Sequence, residues 1–198
     1  HGRDRRQRQM CIRDRYKGDW QIVDSEDIYS NPWISLTHHS VVTPGGTNGI
    51  YGEVIFKNIA MGIIPLDDQG YTWRVGQFRF PINSYSWEIP EGGGLLKDDP
   101  LSSAQRELKE EVGYTAEVWE LFLEMDLSNS ITNERAHVYF TEGLTFFGTE
   151  HEDTENISLE RLHFSELHQQ VLNGEIRDAI SIAAVLKLGL LKPNLLNR

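Results

Sequence analysis

At 198 residues, with 39% hydrophobic and 25% charged positions, the chain has the balance of one soluble globular domain with a substantial core. Its net charge of -11 argues against nucleic acid as a partner, because phosphate backbones are gripped by basic surfaces. A phosphate substrate is still allowed, since a bound divalent cation reverses the local sign. Cys11 is the one cysteine, so no intrachain disulfide forms. No apolar run reaches membrane-spanning length and no secretory signal is visible, and the expected location is cytoplasmic.

The first segment stands apart. His1 to Arg15 carries six Arg and two Asp, a charge of +4 that leaves -15 for the remainder. It lacks apolar periodicity. It reads as a solvated basic tail, as a binding arm, or as non-native sequence, since Met10-Cys11-Ile12-Arg13-Asp14-Arg15 resembles translated sequencing adapter. Residues 1–15 are therefore set aside from fold reasoning, and 16–198 is expected to form the domain.

The folded part is expected to begin near Gly18. Trp20 to Tyr29 and Trp33 to Val42 read as strands, with Pro44-Gly45-Gly46 as a turn and Ile50 to Phe56 pairing across it. Ala60 to Pro65 is a candidate buried strand, and Asp67 to Gly70 a turn. Tyr71 to Phe80 is the next strand, broken by Pro81, and Ser86 to Ile89 leads into Glu91-Gly92-Gly93-Gly94, read as a loop whose bare backbone can approach a phosphate or metal. A helix follows, capped by Asp99, with Pro100 at its first position and Gly113 at its end. Strands are expected at Ala116 to Met125 and Arg135 to Thr141, then a polar loop at Gly148 to Asn156. Helices are expected at Ser165 to Leu172, capped by Ser165, and at Asp178 to Leu190. This order predicts a mixed sheet with helices on both faces, not repeating βαβ units.

The helix carries the chemistry. At 100° per residue, Glu107, Glu110 and Glu111 share one face, and Leu101, Ala104, Leu108 and Val112 form the adjoining core stripe. Such a carboxylate cluster is repulsive unless a cation sits on it, and oxygen-only ligands imply Mg²⁺ or Mn²⁺. The plainer alternative is a surface helix with Arg106 and Glu110 as an i,i+4 pair. The seven histidines show no metal-ligand spacing, and adjacent His38 and His39 read as surface residues.

Gly92 to Tyr114, centred on Arg106-Glu107-Leu108-Lys109-Glu110-Glu111-Val112-Gly113, resembles the Nudix hydrolase signature. Asp98 stands where the family has Glu, and Tyr114 where it has an aliphatic residue. Further segments resemble the ADP-ribose pyrophosphatase branch: Gln77-Phe78-Arg79, Trp87 to Gly92, His151 to Ile157, and Gly174 to Ala179. The resemblance implies an α/β/α sandwich with a mixed β-sheet, plus added N-terminal antiparallel strands (16–59) that build a homodimer. It implies that Glu107, Glu110, Glu111 and the Glu91 carbonyl hold Mg²⁺, with Mn²⁺ as the alternative, and that Arg106 orients Glu107. Glu155 is the expected base that activates water, with Asp153 as a second candidate for base or metal ligand.

Arg79 offers a fork of donors suited to a diphosphate, or forms a structural ion pair with Glu88. Glu88, Gly92, Gly93 and Glu134 join Arg79 as expected substrate contacts, Glu134 across a dimer, and Trp33 is the candidate for stacking on a base. The implied reaction is Mg²⁺-dependent hydrolysis of a nucleoside diphosphate linked to another moiety, with ADP-ribose first and nucleotide sugars such as GDP-mannose close behind. A non-catalytic nucleotide sensor is the reading from another class, and retention of all three helix glutamates weighs against it.

Overall fold

The computed structural model describes residues 15–148 and 157–197, in two compact units. The first unit runs to Lys57 and takes in Ser130–Asn133. It is an antiparallel sheet in the order β1 (Arg15–Lys17), β2 (Trp20–Ser30), β3 (Ile34–Val42) and β4 (Asn48–Phe56). Asn31 closes the β2–β3 turn by accepting from the backbone N–H groups of Trp33 and Ile34, at 2.8 and 2.7 Å. Strand β4 also holds the Ser130–Asn133 segment, with Val54 N–H donating to Ile131 O at 2.9 Å. Across the strands runs a polar ladder: Ser25 Oγ meets His39 Nδ1 at 2.8 Å, and His39 Nε2 meets Glu53 at 3.0 Å. His39 is thus buried, against the expectation of a surface histidine, because its partners satisfy both ring nitrogens.

The second unit comprises Asn58–Asn129 and Glu134–Arg198. Its strands are β5 (Asn58–Pro65), β6 (Tyr71–Arg79), β7 (Ser84–Glu88), β8 (Glu91–Leu95), β9 (Tyr114–Asp126), β10 (Arg135–Phe146) and β11 (Ser158–His163). Its helices are α1 (Pro100–Glu107), α2 (Phe164–Leu172) and α3 (Ala179–Leu191). A mixed sheet runs β8-β5-β10-β9, in which only the β5–β10 pair is parallel, and a smaller antiparallel sheet runs β11-β6-β7.

Strand β5 divides the core. Its Ile59, Met61 and Ile63 pack with Ala104, Leu108 and Val112, while Ile64 joins Ile180, Ala184, Val185 and Leu188 of α3 and Phe164 and Leu167 of α2. Alternation along one strand thus serves α1 on one face and α2–α3 on the other. Each of the larger side chains among these, when fully buried, contributes about 1.5–3 kcal/mol of transfer free energy, and each alanine about 0.8 kcal/mol. This is the α/β/α arrangement expected from the order of elements.

Three local expectations are corrected. Glu91 to Leu95 is a strand, because β5 pairs with it from Asn58↔Leu95 to Gly62↔Glu91. Helix α2 begins at Phe164 and is capped by His163, whose Nδ1 accepts from Ser165 N–H, so Ser165 lies inside the helix. Strand β11 was not expected and is held by six cross-strand partners on β6.

Candidate active site

Two glycines, Gly92 and Gly94, bring α1 close to β8. A Cβ on Gly92 would lie 2.0 Å from Glu107 Cδ, and one on Gly94 would lie 2.5 Å from Ser103 Oγ. Any side chain at Gly92 would expel the Glu107 carboxyl from its seat. Gly93 is closed off by Asn58 Nδ2, 2.9 Å from its absent Cβ, and its carbonyl accepts from Arg106 Nη2 at 3.2 Å. At this part of the site the glycines accommodate side chains of the protein itself.

The helix ends as its sequence suggests. Asp99 Oδ2 caps Ser102 N–H at 2.9 Å, Pro100 follows, and Gly113 closes the helix at φ +79°. Between them the coil changes: residues Leu108–Val112 form a π turn. A wider i→i+5 turn breaks the 100° spacing, so a simple helical wheel does not relate Glu110 and Glu111 to Glu107. The core stripe survives, with Ala104, Leu108 and Val112 all buried.

Arg106 binds two of the three carboxylates, Glu107 Oε1 at 2.6 Å and Glu110 Oε2 at 2.7 Å. The i,i+4 pair and the link to Glu107 therefore coexist. Glu111 is 6% exposed and accepts from the backbone N–H of Glu91 at 3.0 Å. Among the described residues no group of three His, Cys, Asp or Glu forms a ready-made chelate. Mg²⁺ does not require one, because it is commonly held by one or two carboxylates, with water and substrate phosphates completing the shell. The donors on this turn are all oxygen, and Gly92 leaves the space that the Glu107 carboxyl fills, so the residues present fit a hard divalent cation.

A second group gathers at the foot of α3. Arg79 pairs with Glu88 through Nε, at 3.0 and 3.1 Å, and through Nη2. Glu88 is 3% exposed, and its hydrogen bond holds the Arg79 guanidinium above its ordinary pKa. The Glu91 carboxyl is enclosed although the residue as a whole is partly exposed. Burial pushes its pKa well up, with the Asp178 charge, a hydrogen bond to Asp178 and the Glu88 charge adding to the rise. Glu134 is raised as well, by burial and then by Asp178. Asp178 caps α3 through Ser181 N–H at 2.7 Å and so links Arg79, Glu91 and Glu134 electrostatically.

The structure thus gathers Arg106, Glu107, Glu110, Glu111, Gly92 and Gly93 on one side of β8. Arg79, Glu88 and Glu134 lie with Asp178 near the Glu91 carboxyl. Trp33 belongs to the first unit and is 65% exposed. Glu155 and Asp153 lie outside the described residues. The sequence reading passed over Asp178, Ser181 and the Glu91 side chain. Asp178 was legible as an Asp before an apolar run with Ser three residues on, the pattern of a helix cap.

An α/β/α sandwich with carboxylates seated on a glycine strand and an arginine fork nearby is suited to phosphoanhydride chemistry. Comparison with known proteins makes the assignment. Residues 57–184 match the NUDIX domain, and residues 20–54 match the nucleoside diphosphate sugar hydrolase N-terminal domain. The chain belongs to the Nudix family and is a hydrolase acting on the phosphoanhydride of nucleoside diphosphate compounds. It is 31% identical over 174 residues to an ADP-ribose pyrophosphatase of Mycobacterium tuberculosis, covering 85% of this chain and 82% of the relative. It is 28% identical over 167 residues to an ADP-ribose pyrophosphatase of Bacillus subtilis, covering 83% and 90%. A crystal structure of an ADP compounds hydrolase superposes with a TM-score of 0.79 at 15% identity, covering 91% of this chain and 97% of that one, which shows the shared fold.

Proposed function

We propose that the protein hydrolyses ADP-ribose to AMP and ribose 5-phosphate with Mg²⁺, Mn²⁺ being able to replace it. The observation that carries this reading is the seating of Glu107 in the space left by Gly92, joined to Glu110 through Arg106, with an arginine fork at Arg79. Names borne by relatives at 31% and 28% identity support the choice of ADP-ribose.

In the mechanism, Glu107, Glu110, Glu111 and the Glu91 carbonyl would hold the cation, which when bound neutralises diphosphate charge and acidifies a water. Arg106 fixes the direction of Glu107 by a charge-assisted bond. Arg79 presents its donors to the diphosphate while Glu88 holds its plane. Glu155 takes the proton of the attacking water, with Asp153 as the alternative base. Gly92 leaves the room that the Glu107 carboxyl occupies, and the Gly93 carbonyl anchors Arg106. Glu134 contacts the substrate across a dimer. Positioning and charge neutralisation supply most of the rate in such phosphoryl chemistry.

The protein is proposed to be a cytoplasmic homodimer. Among the described residues of the first unit, Val41 is the one apolar side chain in the buried core, while Trp33 and Ile50 are 65% and 73% exposed. Those apolar groups support a two-fold interface. No described helix is long and apolar enough to cross a membrane. Light scattering at micromolar concentration checks the dimer, and a monomer refutes it.

The match of residues 20–54 to a nucleoside diphosphate sugar hydrolase N-terminal domain favours nucleotide sugars as the second reading. Hydrolysis of ADP-ribose, GDP-mannose and nucleoside triphosphates, each with and without Mg²⁺, decides. A triphosphate preferred by kcat/KM would remove the ADP-ribose assignment.

A further inference from the structure

Ser181, the third residue of α3, is fully buried. Its backbone N–H is capped by Asp178, so the cap makes no use of the hydroxyl. The hydroxyl has two other partners. It accepts from Ile89 N–H at 2.9 Å and donates to Glu91 Oε1 at 3.0 Å. The backbone N–H of Glu91 then donates to Glu111 Oε2 at 3.0 Å. These bonds form one path from the first turn of α3, through the corner Ile89-Pro90-Glu91, to a carboxylate of the π turn.

A hydroxyl is the smallest side-chain group that donates and accepts at once, which this junction requires. Ser181 is fully buried, with the carboxyl groups of Asp178 and Glu91 beside it. A buried hydroxyl costs free energy unless its bonds are made.

We propose that Ser181 is a positioning residue for the cation-binding carboxylate of Glu111. By tying the corner at Ile89 and Glu91 to α3, it holds the Glu91 N–H against Glu111 and sets the direction in which that carboxylate meets the metal. This inference rests on the metal-binding reading of Glu111 given above.

Mn²⁺ is the probe. Free Mn²⁺ is followed by electron paramagnetic resonance against the metal-free full chain, without substrate, for the wild type, Ser181→Ala, Val185→Ala and Glu111→Gln. Val185 is fully buried on the same helix and carries no polar group. Ser181→Ala is expected to weaken Mn²⁺ binding roughly 10-fold and to raise the metal concentration for half-maximal hydrolysis alike, with kcat at saturating metal within about threefold. Val185→Ala is expected to lower the melting temperature and leave Mn²⁺ binding unchanged. Wild-type binding in Ser181→Ala overturns the proposal, as does equal weakening in Val185→Ala, which would reduce the effect to lost stability. Should Ser181→Ala fail to fold, Ser181→Cys decides: weakened binding supports the tie and unchanged binding overturns it. Glu111→Gln separates the two readings. If it weakens Mn²⁺ binding while Ser181→Ala does not, only the positioning role falls. If it binds as the wild type does, the metal reading of Glu111 falls and the positioning role with it.

Discussion

The carboxylates on the two sides of β8 are treated in opposite ways. Glu107 and Glu110 of α1 share the Arg106 guanidinium, which is half exposed at 50%. At the foot of α3, Glu91 has Glu88 and Asp178 as neighbours, and burial together with the Asp178 charge pushes its proton affinity up. Charge on the first side is balanced by an arginine, whose place a bound cation is proposed to take. On the second side burial and the Asp178 charge favour the protonated form of Glu91. One side is thus suited to bind and release, and the other to support.

The largest test of this contrast is Glu111→Gln. If Glu111 is a metal ligand as proposed, its loss is expected to cost roughly 100-fold or more in hydrolysis, since even outer partners of such ligands cost 10–100-fold. The metal-free protein should melt no lower, because the glutamine oxygen still accepts from Glu91 N–H and one like charge is gone. Mg²⁺ should then raise the melting temperature of the wild type more than that of the variant. A destabilised, active variant would end the metal assignment.

Gly92→Ala comes next. The new Cβ must displace the Glu107 carboxyl, 2.0 Å away. A shift of about 1 Å in a catalytic group can cost on the order of 100-fold in kcat/KM. Overpacking costs about 1–3 kcal/mol, read in urea denaturation. Unchanged kinetics would show that Glu107 need not sit there.

Arg79→Ala leaves Glu88 buried without its arginine. It should destabilise by about 1–3 kcal/mol, below the figure for a fully buried pair because the Arg79 side chain is 39% exposed. KM should rise as well. Adding Glu88→Gln sharpens the test: stability should return while KM stays high if Arg79 grips the diphosphate. Recovery of both would make the pair structural only.

The smallest effect concerns pH. The folded pKa of Glu91 is raised, so native protein keeps a proton that the unfolded chain releases. Stability from this group is complete below the unfolded value of about 4.3 and is lost as pH rises through the folded one. Glu91→Gln, which has no proton to lose, should flatten that alkaline decline in melting temperature. An unaltered slope would show that Glu91 is ionised in the fold.

Much of the site was legible because local chemistry repeats itself. Asp99, Pro100 and Gly113 mark the helix ends by capping and by a positive φ, whatever surrounds them. The apolar stripe of Ala104, Leu108 and Val112 follows from periodicity. The π turn gave no such signal, since its residues would serve equally in an α-helix. His39 was misread because Ser25 and Glu53, which satisfy it, come from two other strands.

By itself the sequence determined which residues carry charge, where α1 starts and stops, and which family the chain belongs to, because these depend on neighbours within a few positions. Tertiary structure alone decided that Glu91 to Leu95 is a strand, since β5 supplies its hydrogen bonds from about thirty positions away. It also decided that Ser181 and Asp178 stand beside Glu91. Those contacts close loops of some ninety residues, and no local preference encodes them; they form because α3 must bury an apolar surface against β5.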